Sequence, residues 1–559
     1  MKVPENDPIH ASKQLLRSLL DEEIPLVQSF KGKWGLIRVK LADLQSQLND
    51  FSTGFSSPTH NNNPLSLDLL HSVTHSLSDA VSLARRCQTL NLTEGKLRTQ
   101  SDLDSVLAKL DRHVRDCEVL IKSGVLQDGG GAGGGGGVSG SKKEAVRAES
   151  RNLITRLQIE SVDSKNSAMD SLLGLLEEDD KHVMIAVAQG IVPVLVRLLD
   201  SSSVEMKEKA VAGIARISTV DSSKHVLVAE GLLLLNHLLR VLESGSGFAK
   251  VKACTALQAL SFSKENARVI GSSSGVSSLL EICQAGTPGA QAFAAGVLRN
   301  LAAFEEIKEN FIEENAVFVL IGLVASGTVL AQENAIGCLC NLVKGDDNLK
   351  LLIVKEGVVE CLRNYWDSCP PVRSLEVAVE LLRLLGSSQG IAEGLVSDGF
   401  IARLAAVLNC GVMSARIASA RAVYELGSNA RAGKEMGECG CISSLVKMLD
   451  GKAVEEKEAA AKALSVLVLF AGNKRLFRKD ERGIVSTVQL LDPLIQNLDK
   501  KYPVSTLASI VHSKKCRKQM IAAGASLHLK KLVEMDVEGA KKLLDGLGRG
   551  KIWGVFARP

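Results

Sequence analysis

The chain has 559 residues, too many for one compact core, so several domains or an open-ended array is expected. Hydrophobic residues make up 45% of it but aromatic residues only 3%, so the apolar material is mainly Leu, Val, Ile and Ala, which favours helix packed on helix. Charge is nearly balanced, 67 Lys and Arg against 63 Asp and Glu, which excludes a global electrostatic draw toward nucleic acid or anionic membrane.

Four stretches in the first 125 residues carry helical spacing. Leu15, Leu16, Leu19 and Leu20 mark the first, which ends before Pro25. Trp34, Ile37, Leu41, Leu44 and Leu48 form a narrow seam, and Leu70, Val73, Leu77, Ala80 and Ala84 follow after a polar loop. Leu103, Leu107, Leu110, Val114, Cys117 and Ile121 complete the set. Four amphipathic helices with short links predict an antiparallel four-helix bundle over residues 1–125. Met1 to Asp7 leads into a polar segment, so no signal peptide is expected. Lys2 and the final Phe-Ala-Arg-Pro give no lipidation signal, and any membrane contact is expected to be indirect.

Residues 126–142 centre on the run Gly129 to Gly137, which cannot hold a helix or a core. It predicts a flexible linker spanning roughly 23 Å on average. A glycine run matches G-x-G-x-x-G by default. With no preceding strand and no following Gly-Lys-Ser/Thr, a phosphate cradle is not expected.

From about residue 185 to 547 the sequence repeats itself, and the repeat array is assigned to residues 143–559. A glycine, replaced once by asparagine, opens each unit: Gly190, Gly231, Gly275, Asn315, Gly357, Gly399, Gly440, Gly483 and Gly524. The intervals run from 40 to 44 residues. An apolar helix follows most of these landmarks, as in Ile191 to Leu199 (IVPVLVRLL), then a polar break, then an Ala-rich helix such as Ala294 to Ala302 (AAGVLRNLA). A period near 42 with two or three helices per unit predicts an all-α solenoid of about nine repeats. Asn166 to Gln189 reads as an incomplete capping repeat at its start.

Chemistry-bearing motifs are sparse. Gly271 to Gly275 satisfies G-x-S-x-G literally, yet it sits between helices and lacks the strand that a nucleophile elbow requires. Cys338/Cys340 and Cys439/Cys441 are Cys-x-Cys pairs whose members do not share a helix face, so no metal or other cofactor is expected. The run Glu177 to Asp180 reads as a solvated turn that complements the next helix N-terminus. His512 to Lys518, Lys541, Lys542, Arg549 and Lys551 form the one basic cluster, read as a polar C-terminal cap, so nucleic acid is disfavoured as a partner. No catalytic residue and no small-molecule substrate is assigned. Twelve scattered cysteines point to a reducing compartment, the cytoplasm or the nucleus.

The pattern of a glycine, an apolar helix and then an Ala-rich helix ending in Leu298-Arg-Asn-Leu301 resembles the armadillo repeat. The resemblance implies a right-handed solenoid with a concave groove lined by the third helix of each unit. The whole arrangement is similar to plant armadillo proteins whose N-terminal bundle looks like that of plant U-box ubiquitin ligases, although here the glycine linker stands where those ligases carry the U-box.

Aligning the third helices gives one inward rung per repeat: Arg216, Ala259, Asn300, Asn341, Arg383, Glu425, Val466 and Ser509. In the family the rung Asn hydrogen-bonds the backbone of an extended peptide, so the resemblance implies that role for Asn300 and Asn341; bridging of neighbouring helices is the competing reading. One turn earlier lie Gly296 and Gly337, expected to let a ligand backbone approach closely. Import receptors of the family carry Trp there, and its absence argues against import. Arg216, Arg383, Arg421 and Lys462 predict a partly basic rim suited to acidic or phosphorylated flanks. The expected function is a non-catalytic scaffold that binds other proteins through extended segments. An adaptor role in ubiquitin ligation and a membrane or cytoskeleton tether are the alternatives.

Overall fold

The computed structural model describes residues 8–54, 64–89, 95–123, 138–159 and 162–548, and the glycine run Gly129 to Gly137 lies outside them. The chain divides into two compact units, Met1–Val241 and Leu242–Pro559. All regular structure among the described residues is helical.

In the first unit, helix α1 (Pro8–Arg17) runs on into a wide turn at Ser18–Glu23 and a tight one at Ile24–Leu26, where Pro25 removes a backbone donor. Helices α2 (Lys31–Gly54), α3 (Pro64–Arg86) and α4 (Lys96–Ser123) complete a bundle. Every residue of the predicted α2 seam, Trp34 through Leu48, is buried, as are all five predicted core positions of α3. In α4, Leu103, Leu110 and Cys117 are buried, while Leu107, Val114 and Ile121 form the half-exposed edge of the seam.

Side-chain pairs fix the helix directions. Ser76 pairs with His113, Lys109 with Asp79 and Arg86 with Asp102, so α3 and α4 run antiparallel. Lys33 pairs with Asp104 and Lys40 with Asp111, a constant offset that makes α2 and α4 parallel. Ser12 with Thr74 and Glu23 with Arg85 do the same for α1 and α3. These are the directions of an antiparallel up-and-down bundle, in which consecutive helices oppose one another and alternate helices run parallel; here the parallel pairs are also in contact. Buried at this junction, the His113 imidazole lies 2.9 Å from the Ser76 hydroxyl, and burial, helped by Arg112 and Lys109, pushes its pKa down to about 4.

Two further helices, Val138–Gln158 and Val162–Glu178, pack on one another, and the second lies against Val204–Ser218 as a preceding third helix would. The segment expected to cap the array therefore splits. Its first part caps, whereas Asp180–Ala188 is the first helix of a complete repeat, followed by Ile191–Leu198 and Val204–Ser218. Gly190 at φ 85° turns the chain by 87° between the first and second helices, and Gly231 at φ 58° joins helices that cross at 100°.

Nine three-helix repeats follow one another among the described residues, the second spanning the boundary between units. In Leu242–Pro559 the third helices form one continuous row: Gly247–Leu260, Pro288–Leu301, Val329–Val343, Leu375–Gly386, Met413–Leu426, Val454–Leu467, Lys501–Ile510 and Ala540–Gly548, each packed on the next. Ser246, Thr287 and Thr328 cap the first three of these helices, each accepting from the backbone N–H three residues on. Seven of the nine landmark positions are left-handed, Asn315 included at φ 53°. Gly275 and Gly483 are not. Gly483 lies inside the helix Glu481–Gln489, which Asp480 caps, and a Cβ there would meet the Phe477 ring at 3.0 Å.

Two outcomes follow. Gly357 has φ 88° and open space where a Cβ would stand, so Gly357→Ala lowers stability by about 1 to 2 kcal/mol through backbone strain alone, read as a shifted denaturant midpoint. His113 stays neutral in the fold while the unfolded chain takes up its proton near the usual imidazole value, so stability conferred by the bundle falls as pH drops from about 6.5 toward 4. His113→Gln flattens that part of the profile in thermal melts between pH 7 and pH 4.

Candidate functional site

The rung asparagines are half-buried at the exposed edge of the third-helix row. Asn300 Nδ2 donates to the Gln258 carbonyl at 3.1 Å and to Ser261 Oγ at 2.9 Å. Asn341 Nδ2 donates to the Arg299 carbonyl at 2.9 Å. Both amides therefore bridge to the preceding third helix, and in neither does the Oδ1 have a donor among the described residues.

Gly296 and Gly337 do not offer the expected opening for a ligand backbone. A Cβ on Gly296 would lie 2.3 Å from Gln258 Nε2, and one on Gly337 would lie 2.5 Å from Arg299 Nε. Side chains of the preceding third helix fill both spaces. Arg299 also donates to Asn334 Oδ1 at 3.4 Å, and Asn334 donates to the Ala292 carbonyl at 2.9 Å. The glycines serve close helix packing at these two steps.

The basic rim is largely neutralised within the protein, which corrects the expected preference for acidic partners. Arg216, in the first unit, donates to Asp180 at 2.7 Å and to Thr219. Arg383 holds Glu380 through two hydrogen bonds, at 2.8 and 2.9 Å, and reaches Glu425 at 3.5 Å; the Glu380 hydrogen bonds raise the guanidinium's pKa further. Arg421 is exposed and has no ion-pair partner among the described residues. It lines one cavity with the carboxylates Glu425, Glu455 and Glu458, on its own and the next third helix. Below this surface, Arg416 binds the buried Glu456 at 2.6 Å and its own repeat's Cys410 carbonyl at 3.0 Å.

Lys462 occupies a setting that sequence reasoning missed. Its Nζ lies 4.4 Å from the ring centroid of Tyr424 and 5.6 Å from that of Tyr502. The two rings meet edge to face, 6.1 Å apart at 77°. A cavity of about 230 Å³ opens beside them, lined by Arg421, Tyr424, Glu455, Glu458 and Lys462 among others. The available signal was rarity: only three tyrosines occur in the chain, and two stand 78 positions apart, on third helices flanking the one that bears Lys462.

Cys338 and Cys340 are buried and burial pushes both thiols up; the same cause raises Cys254, Cys283 and Cys441 to about 12. Ser273, the centre of the G-x-S-x-G match, opens the helix Ser273–Ala285, and its side chain lies outside the described residues. Among the described residues no single helix is long and apolar enough to cross a membrane.

Comparison with known proteins gives two family matches. Residues 10–125 match a domain of unknown function, DUF7032, and residues 179–219 match the Armadillo/beta-catenin-like repeat. The second match coincides with the first complete three-helix repeat. No curated protein matches the chain. Among solved structures, a crystal structure of an engineered protein is similar at 23% identity and a TM-score of 0.61, covering 72% of this chain and 99% of its own. A designed armadillo repeat protein solved in complex with the peptide (KR)4 aligns at 19% identity and a TM-score of 0.37, over 42% of this chain and 98% of its own. The chain carries an armadillo repeat and folds as an all-α, armadillo-type solenoid.

The ion pair beneath this face gives a stability test. Glu456→Ala leaves Arg416 half-buried with its strongest partner gone and lowers stability by about 3 kcal/mol, measured by urea unfolding of the full chain.

Proposed function

We propose that the chain is a non-catalytic scaffold whose third-helix row binds extended segments of other proteins. The observation that carries this reading is the rung of Asn300 and Asn341. Asn300 spends two amide hydrogen bonds on the preceding helix and Asn341 one, which fixes each amide plane and leaves its Oδ1 without a donor among the described residues, an acceptor suited to a peptide N–H. Fixing the amide in advance reduces the entropy lost when a segment docks. Glu455 and Glu458, which have no ion-pair partner among the described residues, favour segments that carry positive charge, in place of the acidic ones expected from the basic rim.

The N-terminal bundle over 1–125 is a second module in this proposal, joined through 126–142 to the array over 143–559, and recruits a different protein. The similarity to plant proteins with ligase-type bundles, and an adaptor role in ubiquitin ligation, belong to the same proposal and rest on the bundle's helix pattern alone. All twelve cysteines are unpaired and most are buried, which supports a cytoplasmic or nuclear setting.

The test is crosslinking of the full chain in extracts, followed by mass spectrometry of the captured segments. Asn300→Ala/Asn341→Ala is expected to reduce capture on the third-helix face about tenfold while leaving the far-UV spectrum unchanged. Equal capture by wild type and variant refutes the groove assignment.

A further inference from the structure

Lys462 follows Glu458 by four residues, the spacing at which a helical Lys pairs best with a preceding Glu. It does not take that partner. Its ammonium lies over Tyr424 and Tyr502, and Glu455 and Glu458 remain without an ion-pair partner among the described residues, both lining the adjoining cavity. The tyrosines stand on third helices two repeats apart, and their edge-to-face contact places both rings within cation–π reach of the ammonium between them. Tyr502 also has Lys501 at 5.0 Å, but that ammonium is fixed to Asp499 at 2.9 Å.

This is a cation receptor filled from within. The two stations open to Lys462, the ring pair and Glu458, are of similar strength, so the flexible Lys stem can exchange them by rotamer change alone. A guanidinium gains more from the rings than an ammonium does, because it is planar, stacks on an aromatic face and still has donors left for Glu455. Arg421 opposes an incoming positive charge and Glu455 favours it, so the ring faces decide the balance.

We propose that Tyr424 and Tyr502 form a receptor for an arginine side chain of a bound protein segment, with Lys462 as the resident occupant that swings to Glu458 when the arginine enters. The inference rests on the groove reading above and names the chemistry of the segment at one repeat.

The test uses full-length protein and fluorescence anisotropy with three labelled octapeptides, alternating Ser-Arg, Ser-Lys and Ser-Asp. The Ser-Arg peptide is expected to bind wild type, and the Ser-Lys peptide several-fold more weakly. Tyr424→Leu weakens Ser-Arg binding about tenfold, whereas Lys462→Met, which keeps the stem and removes the competing charge, tightens it about threefold. Circular dichroism melts of both variants establish that they are folded. The proposal is overturned if Lys462→Met weakens Ser-Arg binding or leaves it unchanged, if Tyr424→Leu has no effect, or if no Ser-Arg binding is seen. Ser-Asp binding that Lys462→Met abolishes overturns it as well, and would assign Lys462 to an acidic partner. Should Tyr424→Leu leave the crosslinked segments intact while the Asn300/Asn341 double variant loses them, the receptor fails and the groove reading stands. Loss of neither removes both.

Discussion

The array depends on one constraint, that each third helix is buried against its neighbours, and at several junctions an asparagine amide also donates to a backbone carbonyl about one repeat earlier. Asn300 reaches the Gln258 carbonyl, Asn334 that of Ala292, Asn341 that of Arg299 and Asn473 that of Gly433, and Asn310 makes the equivalent bond to Gly271. No repeat closes a core by itself, since each third helix buries its apolar face only against its neighbours. Where the carbonyl lies near a helix C-terminus, as at Gln258 and Arg299, the side-chain amide satisfies an acceptor that the helix itself leaves open. The spacing of about 40 residues is therefore a hydrogen-bonding period as well as a packing period.

That constraint shapes the exposed face. With both amide hydrogen bonds of Asn300 and one of Asn341 committed to stacking, their Oδ1 atoms are left for another molecule, and the glycines beside them are covered by Gln258 and Arg299. Further along the row the fixed charges cancel in pairs, Arg383 against Glu380 and Arg416 against Glu456. What stays available is a short list: two acceptors, the carboxylates Glu455 and Glu458, the exposed Arg421, and a tyrosine pair holding a lysine. A surface of this kind selects by local chemistry at particular repeats, and its net charge says little about its partner.

The first unit illustrates a different balance. Its core is largely fully buried Leu, Ile and Trp, so register is set by the seam; the short links alternate the helix directions, and surface ion pairs at constant offset, 33 with 104 and 40 with 111, match the resulting alignment. Individually such pairs contribute little at exposed sites. They act as alignment marks that favour one packing among several with similar hydrophobic burial.

Periodicity alone determined the helical class, the repeat length, the landmark turns and nearly every core position, because a 3.6-residue apolar pattern and a glycine at a left-handed turn are properties of a short segment. Even there Gly483 departs, held by Phe477 across the repeat and not by a turn. The candidate site was legible only as a set of aligned positions. Whether Asn341 faces a ligand or a carbonyl, whether Arg299 covers Gly337, and that Tyr424 and Tyr502 meet around Lys462 were all decided by tertiary structure. Each depends on how far one third helix is shifted against the next, and contacts between residues 38 to 78 positions apart leave no trace in the spacing of either residue taken alone.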